Sequence, residues 1–279
     1  MNLFIHGLDA NIQLGNSYFN DQHATLKADY VLANPPFNDG SKGENGWGAD
    51  KIADKDPRLT LGGQKLAMSP RNANTMWMLH FLSHLKDGGT AGFVMASGEL
   101  SNGDLARLEV RKALIDLDYV DCVVQLTGQL FANTQIPCSL WFLSKNRAGG
   151  AGYRKRTGGV LFIDGRKLGT LIPGSRKQKQ LSADDIERIA SVYRQFKHTS
   201  TPDAVRGFCC VANIEAIGAD RYALSPGRYV GSADGDTLDE PVEERLPKLV
   251  QTLSEQLKAN SHAANLILSH LARLSGREP

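Results

Sequence analysis

Apolar positions in this chain come in short clusters separated by polar punctuation. Residues 28–40, "ADYVLANPPFNDG", pass from an apolar stretch, Tyr30–Ala33, into a turn. The stretch predicts a buried strand. Two consecutive prolines end it, because proline lacks an N–H and cannot continue a ladder. Residues 38–72 are rich in Gly, Asp, Lys and Asn without a period, which predicts a long loop in which Trp47 needs a packing partner. "NANTMWMLHFLSHLKDGG" then places Met76, Trp77, Leu79, Phe81, Leu82 and Leu85 around most of a helical circumference. It predicts a buried helix with Asn72 or Asn74 as cap and Asp87-Gly88-Gly89 as stop.

"TAGFVMA" reads as a buried strand, "DLARLEVRKALIDLD" as an amphipathic helix, and "YVDCVVQL" and "CSLWFLSK" as strands. No helix separates the last two. They predict an antiparallel pair at a sheet edge, joined by a loop containing Phe131, Asn133 and Pro137. The alternation of strand and helix predicts an α/β sheet with largely parallel pairing. "VLFIDGRKL" resumes as a strand, and "SADDIERIASVYRQFK" is a helix capped by Ser182, with acids in its first turn as the helix dipole prefers. Residues 199–236 read as irregular, with a strand-like "RYALSPGRYVG" near their end. From 242 to 274, Leu246, Leu249, Leu253, Leu257, Ala264, Ile267, Leu271 and Leu274 recur mostly at three or four residues. This is a long amphipathic helix that either packs on its own domain or meets a partner helix. The predicted division is a catalytic domain over 1–198 and a C-terminal extension over 199–279.

Composition changes this picture little. A chain of 279 residues, 41% hydrophobic and 22% charged, is an ordinary globular one with one or two domains, and a net charge of +2 is too small to argue for nucleic acid by itself. Cationic "RKR" at Arg154–Arg156 reads either as a solvated loop or as a phosphate-contacting patch. Cys122, Cys138, Cys209 and Cys210 form no C-x-x-C pair, so buried reduced thiols and a cytoplasmic location are expected. "MNLFIHGLDA" lacks the basic start and apolar core of a leader, and no run approaches the ~18 apolar residues of a membrane span. His80 and His84 stand four apart on one helix face, a spacing that can bind a metal. No Glu follows His80 and the helix reads as buried, so structural roles and no metal site are expected.

The Asn-Pro-Pro-Phe turn suits a reaction on the exocyclic amine of a planar ring. That nitrogen is a poor nucleophile because its lone pair is delocalised into the ring. Two acceptors aimed at the amine hydrogens bend it toward tetrahedral geometry. The amide oxygen of Asn34 and the carbonyl of Pro35, held by the fixed φ of proline, are such acceptors. Phe37 offers a face for stacking, worth roughly 1–3 kcal/mol. No general base is needed, since the proton can leave after alkyl transfer. The plainer reading is a simple turn, because Asn-Pro and Pro-Pro are common turn dipeptides. A preceding strand and a following long loop favour the site, since α/β folds place ligands at such strand ends.

With "ADYVLANPPFN", "HFLSHLKDGGTAGFVMASGELS", "VRKALIDLDYVDCVVQLTGQLF", "TQIPCSLWFLSK" and "LFIDGRKLG", the chain resembles, over nearly all its length, the modification (methyltransferase) subunit of type I restriction-modification systems. The resemblance implies an incomplete Rossmann-like S-adenosylmethionine-dependent methyltransferase sheet with an irregular C-terminal region and a long helix. It implies S-adenosylmethionine as methyl donor, adenine in DNA as acceptor, and specificity and restriction subunits as partners. Asn34, Pro35, Pro36 and Phe37 would hold the flipped adenine, and Asn16 in "QLGNSYF" would lie near the cofactor's adenine. Asn74-Thr75 stands where the family usually has an acidic and aromatic pair, and Thr127 where it often has proline.

The family's Gly-rich cofactor loop and the acidic residue that grips the ribose have no counterpart here. "GSKGENGWG" follows the Asn-Pro-Pro-Phe turn and is a poor substitute. The resemblance therefore implies that Met1 falls inside a helix of a longer protein, that the sheet lacks its first strands, and that the chain alone binds cofactor weakly or not at all. Two readings stand: one part of an adenine methyltransferase, or an inactive interaction module that docks a specificity subunit through its C-terminal helix. A third keeps the chemistry but acts on RNA bases or glutamine side chains.

Overall fold

The computed structural model describes residues 2–40, 47–53, 55–232, 246–247, 249–258 and 260–261. It divides into a unit over 1–233 and a second over 234–279. In chain order the first unit comprises α1 (Asn2–Ile5), β1 (Ala28–Ala33), β2 (Thr60–Leu61), β3 (Gln64–Lys65), α2 (Asn74–Ser83), β4 (Leu85–Ala96), α3 (Leu105–Asp116), β5 (Val120–Leu126), β6 (Cys138–Ser144), β7 (Gly159–Gly165), β8 (Thr170–Leu171), β9 (Lys179–Gln180), α4 (Ala183–Arg194), β10 (Cys209–Asn213) and α5 (Ile214–Ala219).

Six strands form one sheet in the order β1-β4-β6-β5-β7-β10. Pairing is mixed rather than largely parallel. β1/β4 and β5/β7 are parallel, while β4/β6, β5/β6 and β7/β10 are antiparallel. The β5–β6 pair is antiparallel as expected, but it sits inside the sheet and not at its edge. β4 pairs with the other side of β6, and both faces of the strand are covered, Trp141 and Leu143 on one and Cys138 on the other. Alternation along the strands splits the core in two. Phe93, Trp141 and Phe162 pack with α2 and α3. Cys122, Val124, Leu161 and Ile163 pack with Ile189 of α4 and with Phe196.

The helices lie close to where the sequence put them. Nearly the whole circumference of α2 is buried. Its N-cap position is Ala73, which makes no side-chain cap, while Asn72 accepts from the Asn74 N–H at 2.9 Å. Asp87-Gly88-Gly89 does not stop the helix. It falls inside β4, where the register against β1 shifts between Ala28↔Leu85 and Tyr30↔Thr90, and Gly88 takes φ 80°. Ser182 and Asp185 form a reciprocal capping box on α4. Residues 199–236 hold more order than expected, with strand β10 and helix α5. "RYALSPGRYVG" is not a strand, for Arg221 and Tyr222 take φ 55° and 56° and Pro226–Arg228 make a 3₁₀ turn. In the second unit, described positions between 246 and 261 are helical, and Leu246, Leu249, Val250, Leu253 and Leu257 are each more than half exposed. Ala264, Ile267, Leu271 and Leu274 lie outside the described residues.

All four cysteines are free and buried. No helix among the described residues is long and apolar enough to cross a membrane. In the cationic run after β6, Lys155 is exposed as a solvated loop would have it, but Arg154 is half-buried and Arg156 buried. Arg156 is fully buried against Asp121, with Nε to Oδ1 at 2.9 Å, and Arg154 donates through Nε to the Phe196 carbonyl at 2.7 Å. Asp121 also accepts from Arg147 Nη1 at 2.7 Å and from the Tyr193 hydroxyl at 2.9 Å. One carboxylate thus joins β5, the 146–158 loop and α4. Asp121→Ala leaves buried Arg156 without its anion and Arg147 with Asp118 alone, and should lower unfolding stability by about 3–5 kcal/mol in urea titration. A loss under about 1 kcal/mol, the scale of an exposed pair, would show that the network is not the brace described.

Candidate functional site at the carboxyl edge of the sheet

Strand β1 ends at Ala33, and the chain turns outward through Asn34 to Phe37. Asn34 and Pro36 are exposed, Pro35 is buried and Phe37 is half-buried. Among the described residues the Asn34 amide makes no hydrogen bond, and nothing donates to the Pro35 carbonyl. Both acceptors are free for an incoming group. They border a cavity of about 370 Å³ whose far wall is the loop segment Phe131–Thr134. Phe131 meets Phe37 edge to face, with ring centroids 5.7 Å apart at 78°. A larger cavity of about 590 Å³ lies against α2 and residues 53–61, away from the turn, and holds none of this chemistry.

The turn is fixed from behind. Asn38 takes φ 53°, a left-handed conformation that asparagine tolerates. Its N–H donates to Asn74 Oδ1 at 3.0 Å, and its Oδ1 accepts from Asn72 at 3.0 Å and Asn74 at 3.2 Å. The second hydrogen of the Asn74 amide goes to Glu99 Oε2 at 2.8 Å, and Arg107 grips both oxygens of Glu99. At the residue after Asn38, the Ala73 N–H donates to the Asp39 carbonyl at 2.8 Å, and Tyr18 donates to Asp39 Oδ2 at 2.9 Å. Gly40 passes so close to the Arg71 carbonyl that a Cβ would lie 2.2 Å from it, so no other residue fits there. Trp47 finds its partners here too, against the rings of Tyr18 and Phe19 and with Nε1 donating to the Ser69 carbonyl at 2.7 Å.

The opposite wall is pinned at its neck. Gly128 sits where a Cβ would be 2.7 Å from the Gln135 carbonyl, and Gln129 takes φ 69°. Sequence reasoning placed Phe131 in a loop but not in the site. The available signal was an aromatic residue in an otherwise polar connection. Asn74, read as a cap, is instead the hub behind the turn. Asn16 is not brought to this cavity. Its Oδ1 accepts from the Tyr18 N–H at 2.9 Å in a local turn, and its side chain is exposed.

His80 and His84 acquire a third neighbour that sequence spacing did not show. Their ring nitrogens and an Asp21 oxygen lie within 4.8 Å of one another, the one such group among the described residues. His84 faces Asp21 at 2.9 Å through Nε2 and the Leu26 carbonyl at 3.0 Å through Nδ1. Arg58 stands 3.1 Å from His80 Nδ1, on the lone pair a metal would need, and is itself held by Asp56 and the Ser17 carbonyl. The cluster therefore reads as a structural clasp between the 15–26 segment and α2. Burial first, then the neighbouring His84 and Arg58 charges, outweigh Asp21 and push the His80 pKa down to about 4.

Two outcomes follow. Glu99→Ala strands the buried Arg107 charge and one Asn74 hydrogen, and should cost about 3–5 kcal/mol. Glu99→Gln keeps an acceptor for Asn74 and should cost less; equal losses in urea titration would break the proposed link between Asn74 and Glu99. His80 takes a proton near 6.5 when unfolded but only near 4 when folded, so its contribution to stability is complete above pH 6.5 and is lost as pH falls toward 4. Asp21 is held below the ordinary carboxylate range. Its burial, which acts upward, is outweighed by the His23 N–H and the two histidines, and it adds a further loss at lower pH. Melting temperature should fall across that window in the parent chain and less steeply in His80→Gln; parallel curves would exclude His80 as the cause.

Comparison with known proteins gives a consistent result. A model of the N-6 DNA methylase family matches residues 1–237. The chain is 38% identical over 273 residues to the type I restriction enzyme MjaIX methylase subunit of Methanocaldococcus jannaschii, covering 96% of this chain and 47% of that one. It is 35% identical over 276 residues to the HindI methylase subunit of Haemophilus influenzae, covering 98% and 58%. In three dimensions it is similar to a type I restriction-modification methyltransferase subunit from Streptococcus thermophilus, with a TM-score of 0.68 and 29% identity over 83% of this chain and 45% of that one. The chain spans about half the length of the curated relatives it matches.

Proposed function

The chain belongs to the N-6 DNA methylase family, and from that premise we propose that it carries the base-holding side of a DNA adenine methyltransferase site in a type I modification subunit. The observation that carries this reading is the pairing of two unengaged acceptors, Asn34 Oδ1 and the Pro35 carbonyl, with an aromatic-walled cavity. A flipped adenine presents its 6-amino hydrogens to the two oxygens. Accepting both hydrogens draws the nitrogen lone pair out of the ring and toward the methyl group. Pro36 fixes the turn, and Phe37 and Phe131 flank the base. Stacking offsets part of the few kcal/mol needed to unstack it.

S-adenosylmethionine is the donor in this reading, but the described residues do not by themselves make its site. No glycine-rich turn joins a strand to a helix among them, and the strand-end carboxylates Glu99 and Asp164 are tied to Arg107 and Arg166. The outer edge of β1 has no strand partner among the described residues, and Tyr30 and Leu32 beside it are 66% and 83% exposed. A further polypeptide segment that pairs with this edge and brings the cofactor cradle completes the proposal. Asn16 remains a candidate for contact with that cofactor. Specificity and restriction subunits are the expected partners.

A second reading, a docking module without turnover, is favoured by the exposed leucines of the 246–261 helix. One assay separates the two. The chain is mixed with the part of a type I methylase subunit that it does not match, and methyl transfer to duplex DNA is measured. Activity that falls about 10²–10³-fold in Asn34→Ala, the usual cost of losing one preorganised polar contact to the reacting group, supports the enzyme. Assembly without methylation, in parent and variant alike, supports the module.

A further inference from the structure

Residues 165–181, "GRKLGTLIPGSRKQKQL", contain Arg166, Lys167, Arg176, Lys177 and Lys179 and no acid, in a chain whose net charge is only +2. The remainder of the chain, with 27 Lys and Arg against 30 Asp and Glu, is net negative, so this segment is locally opposite in sign. It folds as the β8–β9 hairpin, with Thr170 opposite Gln180 and Leu171 opposite Lys179. Its tip is ordered. The Ser175 hydroxyl accepts from the N–H groups of Lys177 at 3.2 Å and Gln178 at 2.9 Å, and Ser175 N–H donates to the Ile172 carbonyl at 2.9 Å. Arg166 is paired with Asp164, whereas Arg176 and Lys177 are exposed and have no anionic partner among the described residues.

The hairpin is fastened to the wall of the candidate pocket. The Lys179 N–H donates to the Gln129 carbonyl at 2.8 Å, and Lys179 Nζ donates to Thr127 Oγ1 at 3.3 Å. Gly169 takes φ 83°, a conformation that favours glycine, and lies beside Thr127 and the Gln180 carbonyl, from which a Cβ would be 3.2 Å. Gln129 precedes Phe131 by only two residues, at most about 7 Å of chain. The exposed cations thus project from the same loop base that presents Phe131 to the cavity.

We propose that this hairpin is a phosphate-gripping arm for duplex DNA, with Arg176 and Lys177 neutralising backbone phosphates beside the base held at Phe37 and Phe131. The proposal rests on the adenine-pocket reading and deepens it. A planar guanidinium beside a lysine suits phosphate oxygens, which take bidentate and point-charge donors alike. Positioning of this kind carries no sequence information, and it belongs next to a pocket that selects the base rather than its context.

The test is fluorescence anisotropy of the full chain with a labelled duplex carrying 2-aminopurine in place of one adenine, titrated at several salt concentrations from about 50 to about 200 mM. The slope of log affinity against log salt should fall by about 2 in Arg176→Ala/Lys177→Ala, close to 0.9 for each phosphate lost, with affinity down at least about tenfold at low salt. The 2-aminopurine signal at saturation should be unchanged in that variant and altered in Phe37→Ala. A duplex bound with the parent slope by the double variant overturns the arm, as does absence of binding at the lowest salt or tighter binding of single-stranded RNA. A hairpin-dependent slope without any 2-aminopurine response supports the arm and removes the pocket reading instead, so the two failures are distinguishable.

Discussion

The proposed site depends on one constraint: to receive a base, an exposed turn must also be immobile. Prolines restrict φ at Pro35 and Pro36, but they do not decide where the turn points. That is decided by the buried amide network behind it, in which Asn38, Asn74, Glu99 and Arg107 are linked in series. No buried side-chain polar atom in the series lacks a partner, and in a low-dielectric setting such a network is either satisfied and stiff or a source of instability. It draws on the loop after β1, the first turn of α2, the 3₁₀ turn Ser97–Ser101 after β4 and the first turn of α3. Elements distant in sequence therefore fix a single exposed asparagine.

The opposite wall is held in a different way. The 127–137 loop is closed at its neck by backbone contacts that only glycine at 128 permits, and its tip is exposed. Phe131 touches Phe37 directly, so a planar ring seated between them replaces that contact rather than entering a preformed slot. The stiff side supplies the acceptors, whose placement must be accurate. The loop side supplies dispersion and stacking, which tolerate adjustment. Because the β8–β9 hairpin is fastened to the base of the same loop, contact with a phosphate backbone and the position of the aromatic wall are mechanically joined.

What could be read from the sequence was what local chemistry determines. The strand into Asn34, the buried helix α2, the amphipathic α3 and the Ser182 cap of α4 all follow from period, punctuation and capping within a dozen residues, but the burial expected of that strand does not hold, for no residue of β1 is buried and Tyr30 and Leu32 are exposed. What escaped was set by distant partners. β6 reads as an edge strand until β4 is known to pair with its other side. β10 is five residues long and lies past a break in hydrophobic pattern, and only its register against β7 makes it a strand. The Asp87-Gly88-Gly89 stop signal was real turn chemistry, but it serves a bulge inside β4. Asn74 was visible as a polar residue at a helix start. Its role needed Asn38 and Glu99, 36 and 25 residues away. Asp21 joined the two histidines from 63 residues away, beyond any spacing rule.

The two cationic runs carry the same lesson at the level of function. Arg154–Arg156 and Arg176–Lys179 look alike as sequence, and each could be a phosphate patch. Their fates diverge because of one carboxylate. Asp121 lies within reach of Arg156 and is itself buried, so the guanidinium is drawn inward and satisfied by Asp121, by Asn146 and by the Arg154 carbonyl. Among the described residues no carboxylate, near or distant in sequence, pairs with Arg176 or Lys177, whereas Arg166 of the same segment reaches Asp164. Arg176 and Lys177 therefore stay in water with their charge uncompensated, and a charge left in solvent acts at range while a neutralised one does not. Local cation density is thus a weak guide to a polyanion surface. The cations that count are those whose counter-charge the fold does not provide, and in the proposed reading these stand beside the Phe131 wall, which a bound base would displace.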